Sequence, residues 1–333
     1  MRSKLLIPAA LLVMALAALC ALTGCRAGNK ESSAKKSSTK VKTMNGVTYY
    51  KNLRPEKYTL DSHGPVYALI PENLDRKGKK APMILALNCT DGDPQSEIMT
   101  NGWDDLASKE GLIVVAPTYD DSATYSEVDY IVKVIKDVID RYPVDTERIY
   151  STGFSNGGAL SVALTSRHPE LLAGISAAGW MVGMEDTSGD ALMPFQLLQG
   201  TKEFTEKNSS GDMMVLDDER MALRDLFAFD GIFKSSYMPD YKKTPYWGYP
   251  ADKVKTFCPE YTDYEYDGSE PVKQSNVKWQ VSDYYKDGYE VPFAELVLIE
   301  DAAHIPHDYH AEIAWKFLKN FKRNKAGRIE VIK

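Results

Sequence analysis

The sequence predicts an α/β fold with a mostly parallel, doubly wound sheet, and three observations carry that reading. Met83-Ile84-Leu85-Ala86-Leu87 and Leu112-Ile113-Val114-Val115-Ala116 are continuous apolar runs, as expected of strands covered on both faces. Such runs alternate with segments of helical periodicity, which implies parallel strands with helices on both sides. Finally, Gly153-Phe154-Ser155-Asn156-Gly157 lies between the strand-like Ile149-Tyr150-Ser151-Thr152 and the small-residue run Ala159–Leu164, so strand, sharp turn and helix follow one another.

The 333 residues suffice for one large α/β domain or two smaller ones. Residues 1–43 hold eight basic groups and a single acid, Glu31, so the net −7 of the chain divides into +7 there and −14 in the remainder. An acidic body argues against nucleic acid as a partner, because phosphate binding needs a basic surface.

Arg2 and Lys4 precede an apolar stretch, Leu5 to Leu22, so residues 1–24 read as a secretory signal. Its end, Leu22-Thr23-Gly24-Cys25, resembles the lipobox of bacterial lipoproteins, which implies cleavage before Cys25 and a lipid on its thiol. Cys20 fits less well, since bulky Leu19 precedes it. An uncleaved membrane anchor is the competing reading, and both place the body outside the cytoplasm on a membrane tether. Residues 25–43 are Ser/Lys-rich and read as a flexible tether, with the folded domain at 44–333. Cys89 and Cys258 remain; an exported compartment permits them to pair, and free buried thiols are the other reading.

Along the chain, Val66–Pro71 reads as a strand closed by proline, followed by a charged turn at Asp75–Lys80 and the Met83–Leu87 strand. Asn88–Asp93 is a loop, Trp103–Glu110 a short helix stopped by Gly111, and Leu112–Ala116 a strand stopped by Pro117. Between Ser126 and Tyr142, Ile131, Val134, Ile135, Val138 and Ile139 fall at helical spacing. After the Ser155 helix come strands at Gly174–Ala178 and Pro194–Leu198. Residues 204–292 break the rhythm and hold ten of the twenty tyrosines with Trp247 and Trp279. So many aromatics argue for order, as a lid-like insertion or as a packing layer. A strand at Glu295–Ile299 follows, then a helix with Ile313, Ala314, Phe317, Leu318 and Phe321 on one face.

Ser155 is the candidate nucleophile. Side chains at Gly153 or Gly157 would crowd its turn, and the Asn156 N–H at the helix start is a candidate oxyanion donor. A serine needs a base. Of five histidines, His304 follows the Glu295–Ile299 strand at the carboxyl edge of the sheet, where such folds collect their sites. His307 and His310 read as the start of the last helix, and His-x-x-His-x-x-His is not a helical zinc pattern, because Pro306 interrupts it. No metal or cofactor is expected. The acid that orients the base falls between Ser155 and His304 in chain order, with Glu203 the candidate and Glu206 and Asp212 its rivals.

Val144–Gly158, Gly102–Pro117 and Ala303-His304 with Trp315-Lys316-Phe317 resemble the polyhydroxybutyrate-depolymerase and feruloyl-esterase branch of the α/β-hydrolases. The resemblance covers about residues 66–203 and 294–321. It implies an α/β-hydrolase fold and a serine esterase acting on feruloyl, acetyl or hydroxyalkanoate esters, including polysaccharide-linked ones. Two departures stand out. Asn88-Cys89 replaces the branch's His-Gly, so the second oxyanion donor falls to the N–H of Cys89 or Thr90, and Glu203 replaces its usual Asp. A peptidase on the same fold and a non-catalytic binding lipoprotein compete with this reading. Asn88-Cys89 favours the binding protein; the intact Ser155 turn and His304 oppose it.

Overall fold

A computed structural model describes residues 40–44, 47–74, 78–122, 124–187, 191–204, 216–240, 247–263 and 273–332. The signal segment, Cys25 and the tether up to residue 39 lie outside these, as do Glu206 and Asp212. The described chain starts inside the expected tether. β1 (Lys40–Met44) pairs antiparallel with β2 (Val47–Tyr50), so ordered backbone precedes the expected boundary at residue 44.

Ten strands make the central sheet: β3 (Leu53–Thr59), β4 (Pro65–Pro71), β5 (Ala81–Leu87), β6 (Ile113–Pro117), β7 (Val144–Phe154), β8 (Gly174–Ala178), β9 (Phe195–Gly200), β10 (Lys253–Phe257), β13 (Trp279–Tyr284) and β14 (Ala294–Ile299). Between β10 and β13 lies a separate hairpin, β11 (Glu260–Asp263) with β12 (Lys273–Asn276). The spatial order is β10-β13-β14-β9-β8-β7-β5-β6-β4-β3. From β6 to β14 all neighbours are parallel, while β3, β4, β13 and β10 close the two edges antiparallel.

The apolar runs place this sheet because both of its faces are buried. In β5, Met83, Leu85 and Leu87 enter one core layer, and Ile84 and Ala86 enter the other. The first layer is completed by α3 (Val128–Arg141), α4 (Asn156–Arg167) and α5 (Leu216–Phe229), the second by α1 (Pro94–Thr100), α2 (Trp103–Glu110) and α6 (His310–Leu318). Each fully buried Ile, Leu or Val contributes about 1.5–3 kcal/mol through its burial. Among the described residues no helix is long and apolar enough to cross a membrane.

One expectation is corrected. Phe321 is not on the last helix: Asn320 donates to the Lys316 and Phe317 carbonyls and ends it, and Phe321 opens β15 (Phe321–Arg323), paired with β16 (Ile329–Val331). Within residues 204–292, read as a lid-like insertion or a packing layer, lie sheet strands β10 and β13 and core helix α5. Among the segment's described aromatic side chains, Phe227 packs inward: its ring lies 4.6 Å from Tyr249, 4.9 Å from Tyr284 and 5.1 Å from Phe195.

Candidate active site

Ser155 follows β7 in a conformation that residues with side chains rarely adopt, φ 52° and ψ −116°. The turn is held on both sides. The Ser155 N–H donates to Ala178 O on β8 at 2.7 Å, and Ala159 N–H returns to Ser155 O at 3.1 Å. Two glycines permit the close approach. A Cβ on Gly153 would sit 2.4 Å from the Gly157 carbonyl carbon, and one on Gly157 would sit 1.9 Å from Leu87 O.

The carboxyl ends of β9 and β14 bring the partners to this turn. Glu203 lies in a 3-10 turn directly after β9, and His304 in the loop after β14. The two loops are tied together: Asp301 N–H donates to Thr201 Oγ1 at 2.9 Å, and Lys202 N–H to Ala302 O at 3.0 Å. Ser155 Oγ stands 2.9 Å from His304 Nε2, and His304 Nδ1 stands 2.6 Å from Glu203 Oε2.

Glu203 is only 3% exposed, yet its carboxylate is well supplied with donors. It accepts from Gly200 N–H at 2.7 Å and from Gln199 Nε2 at 3.0 Å, besides His304. Since Glu203 only accepts, Nδ1 carries the histidine proton and leaves Nε2 free to accept from Ser155. The Phe154 ring packs against His304 at 4.8 Å, and the Cβ-free face of Gly179 lies against the imidazole edge. The structure thus brings Ser155, His304 and Glu203 into one hydrogen-bonded chain.

The loop after β5 passes over the start of α4. Asn88, in place of the expected histidine, donates from Nδ2 to Cys89 O at 2.8 Å and Gly92 O at 3.0 Å, while Tyr119 Oη donates to Asn88 O. A second turn bond, Gly92 N–H to Cys89 O at 2.9 Å, fixes the same loop. Asn88 therefore does local work that a histidine could not copy with two donors from one amide. Cys89 and Thr90 lie in this braced loop. Cys89 is half-buried and free, so the Cys89–Cys258 bridge is not formed, and burial pushes its thiol pKa up, away from thiolate chemistry. Asn156 is the first residue of α4. Its side chain is committed elsewhere, accepting from Thr124 Oγ1 at 2.7 Å and donating to Asp121 O, so only its backbone N–H is available to a ligand.

His307 and His310 make other contacts. His307 stacks on Tyr309 at 4.8 Å, and His310 is buried against Asn101 Oδ1 at 3.0 Å. Among the described residues no group of three or more His, Cys, Asp or Glu side chains is placed to hold a metal ion. Sequence reasoning missed a layer beneath the turn, built by Glu97, Asn101, His310 and the Phe154 ring. Asn101 and His310 alone lie 209 residues apart, and no local signal links the members.

The chain matches no protein-family model. A stretch of 100 residues is 31% identical to the bifunctional acetylxylan esterase/xylanase XynS20E of Neocallimastix patriciarum; the match takes in 28% of this chain and 14% of that protein's length. Among solved structures, the acetyl xylan esterase from Aspergillus awamori superposes with a TM-score of 0.52 at 14% identity, covering 80% of this chain and 98% of that one. The likeness to that structure and the parallel sheet with helices on both faces assign one architecture: the chain has the α/β-hydrolase fold.

Proposed function

We propose that the chain is a serine hydrolase of carboxylic esters, working through an acyl-enzyme. The observation that carries the reading is the Ser155–His304–Glu203 chain, with contacts of 2.9 and 2.6 Å at the end of a strained strand–helix turn. Ser155 Oγ attacks the ester carbonyl as its proton passes to His304 Nε2. Glu203 holds the tautomer and steadies the imidazolium. The backbone N–H of Asn156 and one from Cys89 or Thr90 receive the oxyanion. Collapse of the tetrahedral intermediate expels the alcohol, which takes the proton from His304. Water then repeats the sequence on the acyl-enzyme.

Among feruloyl, acetyl and hydroxyalkanoate esters, acetyl esters on polysaccharide are the substrate class we favour. Support comes from the XynS20E stretch and the Aspergillus awamori superposition, both named as acetylxylan esterases. The lipobox-like Leu22–Cys25 supports a lipid on Cys25, a membrane-anchored place outside the cytoplasm and an insoluble or polymeric substrate near the cell surface. The test is hydrolysis of aryl acetate, acetylated xylan, feruloyl and hydroxybutyrate esters by the purified chain, beside Ser155→Ala. The reading expects turnover of acetyl esters that the variant loses; turnover that survives Ser155→Ala sinks it.

A further inference from the structure

Beneath the Ser155 turn lies a small cavity of about 10 Å³, the room of one water molecule. Glu97, Asn101, Thr152, Ser176 and His310 line it, each 7% exposed or less, beside Trp103, Leu198 and Ala314. Gly153, two residues before the nucleophile, is also in the lining.

Glu97 has a specific contact there. The β5–β7 ladder ends at the Leu87–Gly153 pair. Successive amides of a strand point to opposite sides. Ser155 N–H turns to β8, so Phe154 N–H faces the side where β5 has ended. The Glu97 carboxyl is the acceptor beside that amide, and Asn101 Nδ2 donates to the Glu97 main-chain carbonyl at 3.2 Å. The Phe154 ring then packs against His304 at 4.8 Å and against His310 at 6.1 Å. Glu97 thereby substitutes for a missing strand partner at the residue between the sheet and the nucleophile.

We propose that Glu97 is a positioning residue of this site, whose neutral carboxyl supports the Phe154 amide and whose ionisation places an uncompensated charge under the oxyanion loop and slows acylation. The proposal rests on the Ser155–His304–Glu203 reading. Burial holds the Glu97 proton up to a pKa of about 8, against the opposing donors Asn101 and Phe154. The groups that feel it give the direction. Besides burial, a Glu97 charge holds the protons of Cys89, in the oxyanion loop, and of Tyr119, which donates to Asn88 O. An oxyanion at the Cys89 amide is disfavoured by the same charge. His310 supplies no compensating cation, because burial foremost, and then His307, keeps it neutral. Trp103, Thr152 and Ser176 bring no charge from α2, β7 and β8.

The experiment is the pH dependence, from 6 to 10, of kcat/KM on an aryl acetate and of the rate constant for Ser155 labelling by a fluorophosphonate. Wild type, Glu97→Gln and Glu97→Asp are compared in the full chain. Both wild-type rates are expected to fall about tenfold as pH rises through about 8. Glu97→Gln keeps an acceptor for Phe154 N–H without a titrating proton, so it retains the neutral-pH rates within about twofold and loses the alkaline fall. Glu97→Asp keeps a fall displaced in pH, and decides the matter with wild type should the Gln variant not fold. A fall that persists unmoved in the variants, or no wild-type fall between pH 7 and 9, overturns the role of Glu97. Absence of Ser155 labelling at every pH instead removes the reading beneath it.

Discussion

The carbonyl oxygen of Leu87 lies 1.9 Å from the position a Cβ on Gly157 would occupy. The first turn of α4 and the loop that starts at Asn88 are therefore in backbone contact, and Gly157 sets their separation. We predict that Gly157→Ala pushes the Cys89–Thr90 amides away from the Asn156 amide. Displacements of about 1 Å cost on the order of 10²-fold in rate, and a loss of that size in kcat is expected, with KM changed far less. Steady-state kinetics beside a thermal melt check it. Wild-type kcat in a folded variant contradicts the placement of the oxyanion donors.

Ser155 separates strain from chemistry. Ser155→Ala and Ser155→Gly both remove Oγ, and each is predicted to lower kcat/KM by several powers of ten, since such residues act as a unit. Their stabilities diverge. At φ 52° and ψ −116°, alanine keeps the backbone strain and glycine relieves it. Glycine is expected to be the more stable of the two by about 1 kcal/mol, read by urea or thermal unfolding. Equal stabilities contradict a strained turn.

Much of this arrangement is legible in the residues. The central parallel strands announce themselves because burial on both faces demands unbroken apolar runs such as Met83–Leu87. Ser155 is visible because its turn requires glycines at fixed offsets. The edges are harder. β3 reads Leu-Arg-Pro-Glu-Lys-Tyr-Thr, and β10 is exposed along its whole length, so neither carries a run to detect. Helix α1 has a signal that a longer look finds, Asp93 capping Ser96 N–H with proline at its first position. The choice of Glu203 over Glu206 and Asp212 turns on a loop position that no periodicity encodes. Glu97, Asn101 and His310 meet only through the packing of α1 and α6.

Glu203 must satisfy three donors at once, and that makes Glu203→Gln informative. Gly200 N–H demands an oxygen at Oε1, so the new amide nitrogen falls toward His304 Nδ1. A donor there leaves the imidazole proton on Nε2, where it blocks transfer from Ser155. The predicted loss in kcat is about 10³–10⁴-fold, the order seen when a triad tautomer is reversed. Glu206→Gln and Asp212→Asn are expected to match wild type. A deficit in either neighbour with a normal Glu203→Gln identifies a different acid.

Cys25 concerns location rather than chemistry. The Leu22-Thr23-Gly24-Cys25 pattern predicts that Cys25→Ser moves the protein from the membrane fraction to the soluble one, with turnover per molecule unchanged. Fractionation with activity assays on both fractions checks it. Membrane retention of a correctly cleaved variant counts against lipid attachment.

The last prediction concerns a partly buried carboxyl on β14. Ser176, Gln196 and Glu295 stand in register on β8, β9 and β14, and Ser176 Oγ, Gln196 and Glu295 Oε2 link in sequence at 2.8 Å per contact. Burial, reinforced by Asp283, raises the Glu295 pKa to about 7, while Gln196 and Lys255 oppose the rise. In the unfolded chain a glutamate ionises near about 4.3. Between those values the native state holds a proton that the unfolded state has released, so stability falls as pH rises through that window. Glu97 adds a slope of the same sign reaching to about 8. Glu295→Gln keeps the oxygen that Gln196 needs and removes the proton. Its Tm relative to wild type is therefore expected to rise from pH 5 to pH 7 and to level off above, measured in buffers of constant ionic strength. A Tm difference independent of pH would show that Glu295 is already ionised in the fold, and that Lys255 screens it more strongly than its burial disfavours charge.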